Sequence, residues 1–350
     1  MPNINSSELQ GFDPEFNDFI DYILKITYWI WEGKQPELCE AYYSKDCPVY
    51  MLSGMAVGAD EVIENTNKTQ AAFPDRTLDA DAVICSGNAE DGFHSSHLIN
   101  TKMTHLGDNE LGKATGNHAE FKVIAHCVAK NNKIFKEWLV RDNYSFVEQL
   151  GFDPKIIAQQ LARIEPQARF SEWMQSEFER IAATDNKDAA NSQPYPDDAI
   201  GNEEKFITAI LQKIWNHGAL NEVELAYSES AQFHGSANRE LIGPENIKNF
   251  YQAFIDTFSE TRCRVDHVSK QAYRVRPEDT QEGVHVAARW TFSANHTGDK
   301  LYGEPTNAPI LVMGISHYHI VDGKIIEEWA VFDELAILTQ IYRARFQSQA

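Results

Sequence analysis

Two aspartates have the surroundings in this sequence that best suit proton transfer. Asp142 ends the stretch 133–142 and Asp333 ends the stretch 324–333, and the two stretches share Lys, Ile, Glu, Trp and Asp at the same places, 191 residues apart. A carboxyl group at the end of an apolar strand is held partly out of water, which raises its pKa. Such a group can take a proton from a carbon acid or a hydroxyl and return it.

Histidines add a second titratable group near each aspartate. His126 and His317 occupy the same place in the two repeats. On an ideal hairpin each would face a glutamate, Glu137 or Glu328, as a structural pair on the polar side of the strands. The alternative is a β-bulge that turns the histidine into a pocket beside the aspartate, where it would act as a second acid/base or as a donor to substrate.

Other side chains are candidates for the wall of a pocket. His94 and His97 lie three residues apart on a predicted strand, so they point to opposite faces and cannot chelate one metal together from a straight strand. His97 is a candidate polar group in the pocket, and Trp138, Trp329 and Tyr318 are candidates for contact with substrate. No phosphate loop and no HExxH motif is present. We therefore expect neither a metal nor a cofactor.

Two predicted hairpins position these residues. Asn131-Asn132 and Asp322-Gly323 are typical two-residue turns, so Lys130 should oppose Lys133, and the pairing continues from there. The resulting faces are largely apolar and are expected to line a pocket. The first contains Asp142, Val140, Trp138, Ile134, Phe121, Val123, Ala125, Cys127 and Ala129, and the second contains Asp333, Val331, Trp329, Ile325, Val312, Gly314, Ser316, Tyr318 and Ile320.

A structural role for the two aspartates is the competing hypothesis. Asp142 precedes a predicted helix over 143–150, and Asp333 precedes one over 334–342. Aspartate is among the preferred N-cap residues, because its side chain accepts a hydrogen bond from a free backbone N–H in the first turn.

The repeat also predicts the organisation of the chain. Each unit has the pattern of helix, helix, strand, helix and then long antiparallel strands, and the first helix is expected to begin behind Asp13-Pro14. The predicted segments are an N-terminal arm (1–13), a first domain (14–151), a helical connector (152–183), a mobile linker (184–202) and a second domain (203–350). The two domains are expected to pair as an intramolecular pseudo-dimer, with a homo-oligomer also possible.

The bulk composition excludes several classes of partner. The 350 residues carry a net charge of −21, which argues against binding to nucleic acid or to an anionic membrane surface. Five cysteines without a CxxC motif favour free thiols in a reducing compartment, and we expect a cytoplasmic protein. The polar start of the chain predicts no signal peptide, and no stretch approaches 18 apolar residues.

Several of these motifs together resemble the SnoaL-like polyketide cyclases of the nuclear transport factor 2-like superfamily. They are 72–75, 112–117, 133–142 and 149–151 in the first unit, with counterparts at Gly243, Phe258, 303–306, 322–324 and 328–333 in the second. The resemblance covers 16–151 and 203–346 and implies an α+β cone: a curved antiparallel sheet wrapped by helices around an apolar pocket. It also implies an acid/base role for Asp142 and, where the second unit departs from the pattern at 340–342, less firmly for Asp333.

Three functions fit these observations. The first is a cofactor-independent acid/base enzyme of cyclase, isomerase, dehydratase or hydrolase type, acting on a hydrophobic small molecule. The second is a module that binds such a molecule without turnover. The third is a scaffold whose core is filled. An open pocket with the aspartate inside it would favour the enzyme. A pocket without a second polar group near the aspartate would favour the binding module, and a filled core would favour the scaffold.

Overall fold

The computed structural model describes residues 8–184, 200–272 and 282–349. Their contacts divide them into two compact units, the first containing residues 8–157 and the second residues 158–184, 200–272 and 282–349. Each unit has one six-stranded mixed sheet and several helices. The predicted fold class, two tandem α+β units of the cone type, is therefore confirmed.

The first unit is built around one sheet with the strand order β2-β1-β6-β5-β4-β3. Its strands are β1 (Pro48–Met51), β2 (Gly54–Val57), β3 (Thr77–Asn88), β4 (Gly92–Thr104), β5 (His118–Lys130) and β6 (Lys133–Arg141). Its helices are α1 (Phe19–Thr27), α2 (Cys39–Tyr42), α3 (Gly58–Ala72) and α4 (Asn143–Gln149). Only the β1–β6 pair is parallel among the strand pairs of this sheet that the structure describes.

Helix α1 begins later than the sequence predicts. Its first residue is Phe19, and its N-cap is Asp18, whose side chain accepts a 2.8 Å hydrogen bond from the backbone N–H of Asp21. The helix start predicted directly behind Asp13-Pro14, with Asp13 as the N-cap, was therefore wrong, since the Asp18 carboxylate satisfies a free donor of the first turn. The apolar face of α1 packs against the sheet and includes Ile23 and Ile26.

The second unit repeats this architecture with the strand order β8-β7-β12-β11-β10-β9. Its strands are β7 (Tyr227–Gly235), β8 (Arg239–Ile242), β9 (Phe258–Ala272), β10 (Val284–His296), β11 (Pro309–Val321) and β12 (Lys324–Phe332). Its later helices are α7 (Glu203–His217), α8 (Asn221–Ala226), α9 (Pro244–Thr257) and α10 (Glu334–Gln347).

Helices α5 (Pro154–Ala162) and α6 (Ala168–Ala182) occupy the predicted connector. Helix α6 packs on β9 and β10 within the second unit, and its Arg180 forms an ion pair with the buried Asp266 of β9. Most of the predicted mobile linker, residues 185–199, lies outside the described part of the chain, as do the first seven residues of the predicted arm. The domain bounds drawn from the sequence stay predictions.

Both predicted hairpins form, but each contains a bulge that the sequence analysis did not place. Asn131 and Asn132 have φ of 51° and 67°, as a two-residue turn of this type requires. The register then shifts between Val128 and Ala129, and at the matching place in the second unit it shifts between His319 and Ile320. One extra residue in a strand turns every later side chain to the other face.

The bulges invert the faces of β6 and β12 beyond the turns. Cys127 pairs with Glu137, and Tyr318 pairs with Glu328, so each glutamate shares a face with the strand residues expected to line the pocket. Trp138 instead pairs with His126 on the opposite face. The predicted facing pairs were therefore wrong beyond the bulge in both units.

All five cysteines are free, as predicted. Among the described residues, no helix is long and apolar enough to cross a membrane.

Candidate functional site

A cavity lies between α1 and the sheet of the first unit. The centre of a water-sized sphere can reach about 70 Å³ of it, and the empty space in and around it, open solvent included, is about 590 Å³. Ile23 and Ile26 of α1 form one wall, and Ile99 and Val123 of the sheet belong to the other. Six of the lining side chains are polar: Thr27, Tyr43, Arg76, His97, Glu137 and Arg141. The cavity is therefore an apolar chamber with a small number of titratable groups, as small-molecule sites usually are.

Glu137 is the carboxyl group of this cavity. The bulge in the β5–β6 hairpin turns it inward, and its side chain is only 5% exposed. Burial raises its pKa, while a 2.8 Å hydrogen bond from the Tyr43 hydroxyl and the charge of Arg141 oppose that rise. A buried carboxyl held by one donor in an apolar chamber suits proton transfer.

His97 brings a neutral imidazole into the same cavity. The ring is 2% exposed, and burial lowers its pKa to about 4, so it is uncharged at neutral pH. Its Nε2 has no hydrogen-bond partner among the residues that the structure describes. Because buried polar atoms are nearly always paired, this nitrogen is available to a ligand.

Two guanidinium groups complete the polar lining. Arg141 ends β6, and Arg76 precedes β3 and donates a 3.4 Å hydrogen bond from its Nε to the Thr101 hydroxyl. Burial and then repulsion by Arg141 lower the pKa of Arg76 to about 9, with Glu32 opposing that change. At this pKa Arg76 still carries positive charge at pH 7.

The two predicted aspartates are helix caps. Asp142 is 5% exposed and accepts a 3.1 Å hydrogen bond from the backbone N–H of Ser145, and it also accepts one from the Ser145 hydroxyl. Asp333 accepts a 3.1 Å hydrogen bond from the Ala336 N–H in the same way. Asp142 is not among the residues that line the cavity. The capping role is thus established, and an acid/base role for either residue stays a prediction.

His126 and Trp138 lie on the face of the first sheet opposite the cavity. Trp329 pairs with His317 on the matching face of the second sheet. His126 Nε2 is 3.1 Å from His94 Nδ1, and its ring packs edge-on against Trp138. His317 packs against His285, and Trp329 stacks on His234. The expectation that Trp138 lines the pocket was wrong, because the bulge turns it away. Of the side chains predicted to contact substrate, the structure brings His97 to the first-unit cavity.

The second unit has a buried glutamate at the place that matches Glu137. Glu328 is 1% exposed, and burial raises its pKa to about 7 against hydrogen bonds from Tyr227, Tyr318 and Ser316. The Tyr227 hydroxyl donates to Glu328, as Tyr43 does to Glu137. Tyr318, a predicted substrate contact, is fully enclosed in this cluster at 1% exposure.

Aromatic side chains around Glu328 replace three residues that line the cavity of the first unit. The places of Cys127, Ile99 and Arg141 in the first unit are taken by Tyr318, Trp290 and Phe332 in the second. Trp290 contacts Phe332 with ring centroids 6.2 Å apart, and Trp215 stacks on Phe292 at 5.1 Å. Trp290 and Phe332 therefore stand at positions whose counterparts line the cavity in the first unit.

Sequence reasoning missed five of the six polar cavity residues: Thr27, Tyr43, Arg76, Glu137 and Arg141. One available signal was the glutamate itself. Glu137 and Glu328 recur at the same place in both repeats, each directly before a tryptophan. The bulge that turns Glu137 inward leaves no equivalent signature in the residue types.

Comparison with known proteins gives a family match and several similar folds. The family model for SnoaL-like polyketide cyclase matches residues 23–150 and 206–341. A SnoaL-like polyketide cyclase from Agrobacterium tumefaciens is 16% identical, covering 38% of this chain and 97% of its own (TM-score 0.32). No curated protein matches the sequence.

Two further solved structures are similar at the same level. TsrD from Streptomyces laurentii is 11% identical, covering 38% of this chain and 94% of its own (TM-score 0.34). A protein with a ketosteroid isomerase-like fold from Catenulispora acidiphila, solved with trimethylamine, is 13% identical, covering 39% and 91% (TM-score 0.30).

Proposed function

This chain belongs to the SnoaL-like polyketide cyclase family, and from that premise we propose that its first unit is a cofactor-independent acid/base enzyme. The substrate is a hydrophobic small molecule with more than one carbonyl group, and the reaction is a ring closure of the aldol type. The observation that carries this proposal is the buried Glu137 carboxyl on the wall of an open, largely apolar cavity.

Glu137 supplies the proton transfer in this proposal. Its carboxylate removes a proton from a carbon next to a carbonyl, and the electron pair forms an enolate that attacks a second carbonyl of the same molecule. The proton then returns to the new alkoxide, so nothing is lost or gained overall. Tyr43 holds the carboxylate in place through the 2.8 Å hydrogen bond.

His97 has a complementary role in the proposed chemistry. In the tautomer that carries its proton on Nε2, the neutral ring donates a hydrogen bond to the carbonyl oxygen where charge develops. A donor already placed in a chamber of low polarity stabilises such an oxyanion more than water does. The pKa of about 4 keeps the ring neutral, so it does not compete with Glu137 for the proton.

A binding module without turnover is the second candidate. It is favoured by the capping role of Asp142, because the residue that the family resemblance assigns to acid/base work has its carboxylate engaged with Ser145. In this case the cavity would hold the same class of molecule and release it unchanged.

Turnover measured on a panel of polycarbonyl compounds tests the enzyme proposal. Wild-type protein should cyclise at least one member of the panel, and Glu137→Gln should retain its melting temperature while losing that activity. Binding without any turnover by the wild type would leave the binding module as the better conclusion.

From the sequence repeat we also propose that the two units pair as a pseudo-dimer in the cytoplasm. Cross-links within the intact chain should join the sheet strands of one unit to those of the other. Cross-links confined to each unit would contradict this pairing. Sedimentation of the same sample would test the further possibility of a homo-oligomer.

A further inference from the structure

Two histidines meet on the face of the first sheet that lies away from the cavity. His94 belongs to β4 and His126 to β5, and Nδ1 of His94 is 3.1 Å from Nε2 of His126. The strand partner of His126 is Ser96, two residues along from His94 on the same face of β4. The histidines are therefore diagonal neighbours on adjacent antiparallel strands, and the pairing of the strands sets their separation.

The distance between the two nitrogens suits joint coordination of one metal ion. An imidazole nitrogen binds Zn²⁺ at about 2.0–2.1 Å, so two of them on a tetrahedral ion are about 3.3 Å apart. A hydrogen bond between two imidazoles needs one nitrogen that carries a proton and one that offers its lone pair. A divalent ion bound by both nitrogens would replace that single proton, with little change in their separation.

The pair is held on one side and open on the other. His126 is 2% exposed, and its ring packs edge-on against Trp138 with the ring centroids 5.6 Å apart. His94 is only half-buried. The indole therefore restrains one ligand, while the exposure of the other gives access to an ion and to the water molecules that would complete its coordination.

The second unit has histidines at the two matching places, but they are enclosed. His285 and His317 correspond to His94 and His126 by the 191-residue offset, and their rings also meet, with centroids 5.1 Å apart. Both side chains are 0% exposed. No solvent reaches this pair to supply the remaining ligands of an ion, so the geometry favours the first unit.

We infer that His94 and His126 bind one divalent transition-metal ion of the zinc and copper class, completed by water. Imidazole nitrogen is a preferred ligand of these ions, whereas Mg²⁺ and Ca²⁺ prefer oxygen. The ion would join β4 to β5 on the outer face of the sheet. The inference does not depend on the proposed function and adds no step to it. The straight-strand argument excluded His94 with His97, but β5 supplies a different partner.

Metal titration of the intact chain tests the inference. After treatment with a chelator, calorimetry should show one Zn²⁺ bound per chain and at least about 100-fold weaker binding of Mg²⁺. His94→Gln should weaken Zn²⁺ binding by at least about tenfold. The matched control is His118→Gln, which removes an exposed histidine from the same unit and should leave the affinity unchanged.

Electron paramagnetic resonance of the wild-type protein with one equivalent of Cu²⁺ gives a readout that needs no variant. The spectrum should show splitting from two imidazole nitrogens, and it decides the question even if His94→Gln fails to fold. A spectrum without two nitrogen ligands would overturn the inference, as would equal affinity for Zn²⁺ and Mg²⁺ or full Zn²⁺ affinity in His94→Gln. Because Glu137 and the cavity lie on the other face, such a failure would leave the proposed function untouched.

Discussion

The two units share a fold and a buried Tyr–Glu pair, yet their interiors differ. In the first unit, Glu137 is on the wall of an open cavity, and in the second, Glu328 is enclosed by tyrosines and a serine. The same sheet and the same bulge therefore place one glutamate on a cavity wall and enclose the other. The side chains around the two glutamates differ in size, and for this reason we propose that Glu137 and not Glu328 meets a ligand.

One cross-strand pair shows how the second interior is closed. Ile99 faces Val123 in the first unit, and Trp290 faces Gly314 in the second. A Cβ atom on Gly314 would lie 2.2 Å from the Trp290 ring, so the tryptophan fits only because glycine is opposite it. The exchange of a medium pair for a large-and-small pair makes room for the Trp290 indole, which is 3% exposed.

The largest expected difference between the units is in turnover. Glu137→Gln should lower the rate by about 10²–10⁴, the usual range for loss of a general acid or base. Glu328→Gln is the matched control and should leave the rate within about twofold, because Glu328 does not reach a ligand in this account. Equal losses in the two variants would show that both interiors work. The measurement is steady-state turnover of the substrate found in the polycarbonyl panel.

Trp290→Ile and Gly314→Val should each destabilise the protein, and combining them should recover part of that loss. Trp290→Ile leaves a cavity, and Gly314→Val clashes with the indole, so each should lower the free energy of unfolding by about 2–4 kcal/mol. The double variant recreates the pair of the first unit and should cost clearly less than the two single losses together. Urea denaturation measures all three, and simple additivity would contradict the packing argument.

The stability of the protein should depend on pH through Glu328. Its folded-state pKa of about 7 lies above the ordinary value of 4.5, so the folded state binds this proton more tightly than the unfolded state does. The stabilisation is complete below about pH 4.5 and is lost as the pH rises towards 7, by about 3 kcal/mol at most. Glu328→Gln should flatten this part of the profile of unfolding free energy, and an unchanged slope would contradict the buried neutral carboxyl.

A smaller effect is expected from the tyrosine beside Glu137. The Tyr43 hydrogen bond lowers the pKa of Glu137, so Tyr43→Phe should raise it. The base is active when ionised, and the acidic limb of the pH profile of kcat/KM should therefore move to higher pH. Tyr227→Phe, the matching change in the second unit, should not move the limb.

The smallest effects are expected from the two capping aspartates. Asparagine is nearly as good an N-cap as aspartate, so Asp142→Asn and Asp333→Asn should change the unfolding free energy by less than about 0.5 kcal/mol. If Glu137 is the base, turnover should also be unchanged in both variants. A hundredfold loss of turnover in Asp142→Asn with an intact melting curve would instead support the acid/base role that the family resemblance implies.

Local signals and the repeat predicted much of the fold. The two-residue turn at Asn131-Asn132 needs residues that tolerate positive φ, and such a signal is visible in the residue types. The restart of the second unit at Glu203 also follows from its helical periodicity, and α7 begins there. Such features depend on neighbours in sequence.

The site was harder to predict because it depends on strand pairing. The bulge after Val128 reflects how β5 and β6 fit within the whole sheet, and no turn residue marks it. A shift of one residue was enough to exchange Trp138 for Glu137 on the cavity face. Arg76 and Arg141 likewise line one cavity although they are distant in sequence, and their residue types alone do not predict this.

Calorimetric titration of the intact chain tests the central claim most directly, that ligand binding belongs to the first interior alone. The probe is 2-naphthoate or 2-acetonaphthone, whichever binds more tightly. We predict one bound molecule per chain, loss of binding by more than about tenfold in Cys127→Tyr, which introduces the residue that fills the second interior, and unchanged binding in the control Tyr318→Phe. Two molecules per chain, or full affinity in Cys127→Tyr, would contradict the account.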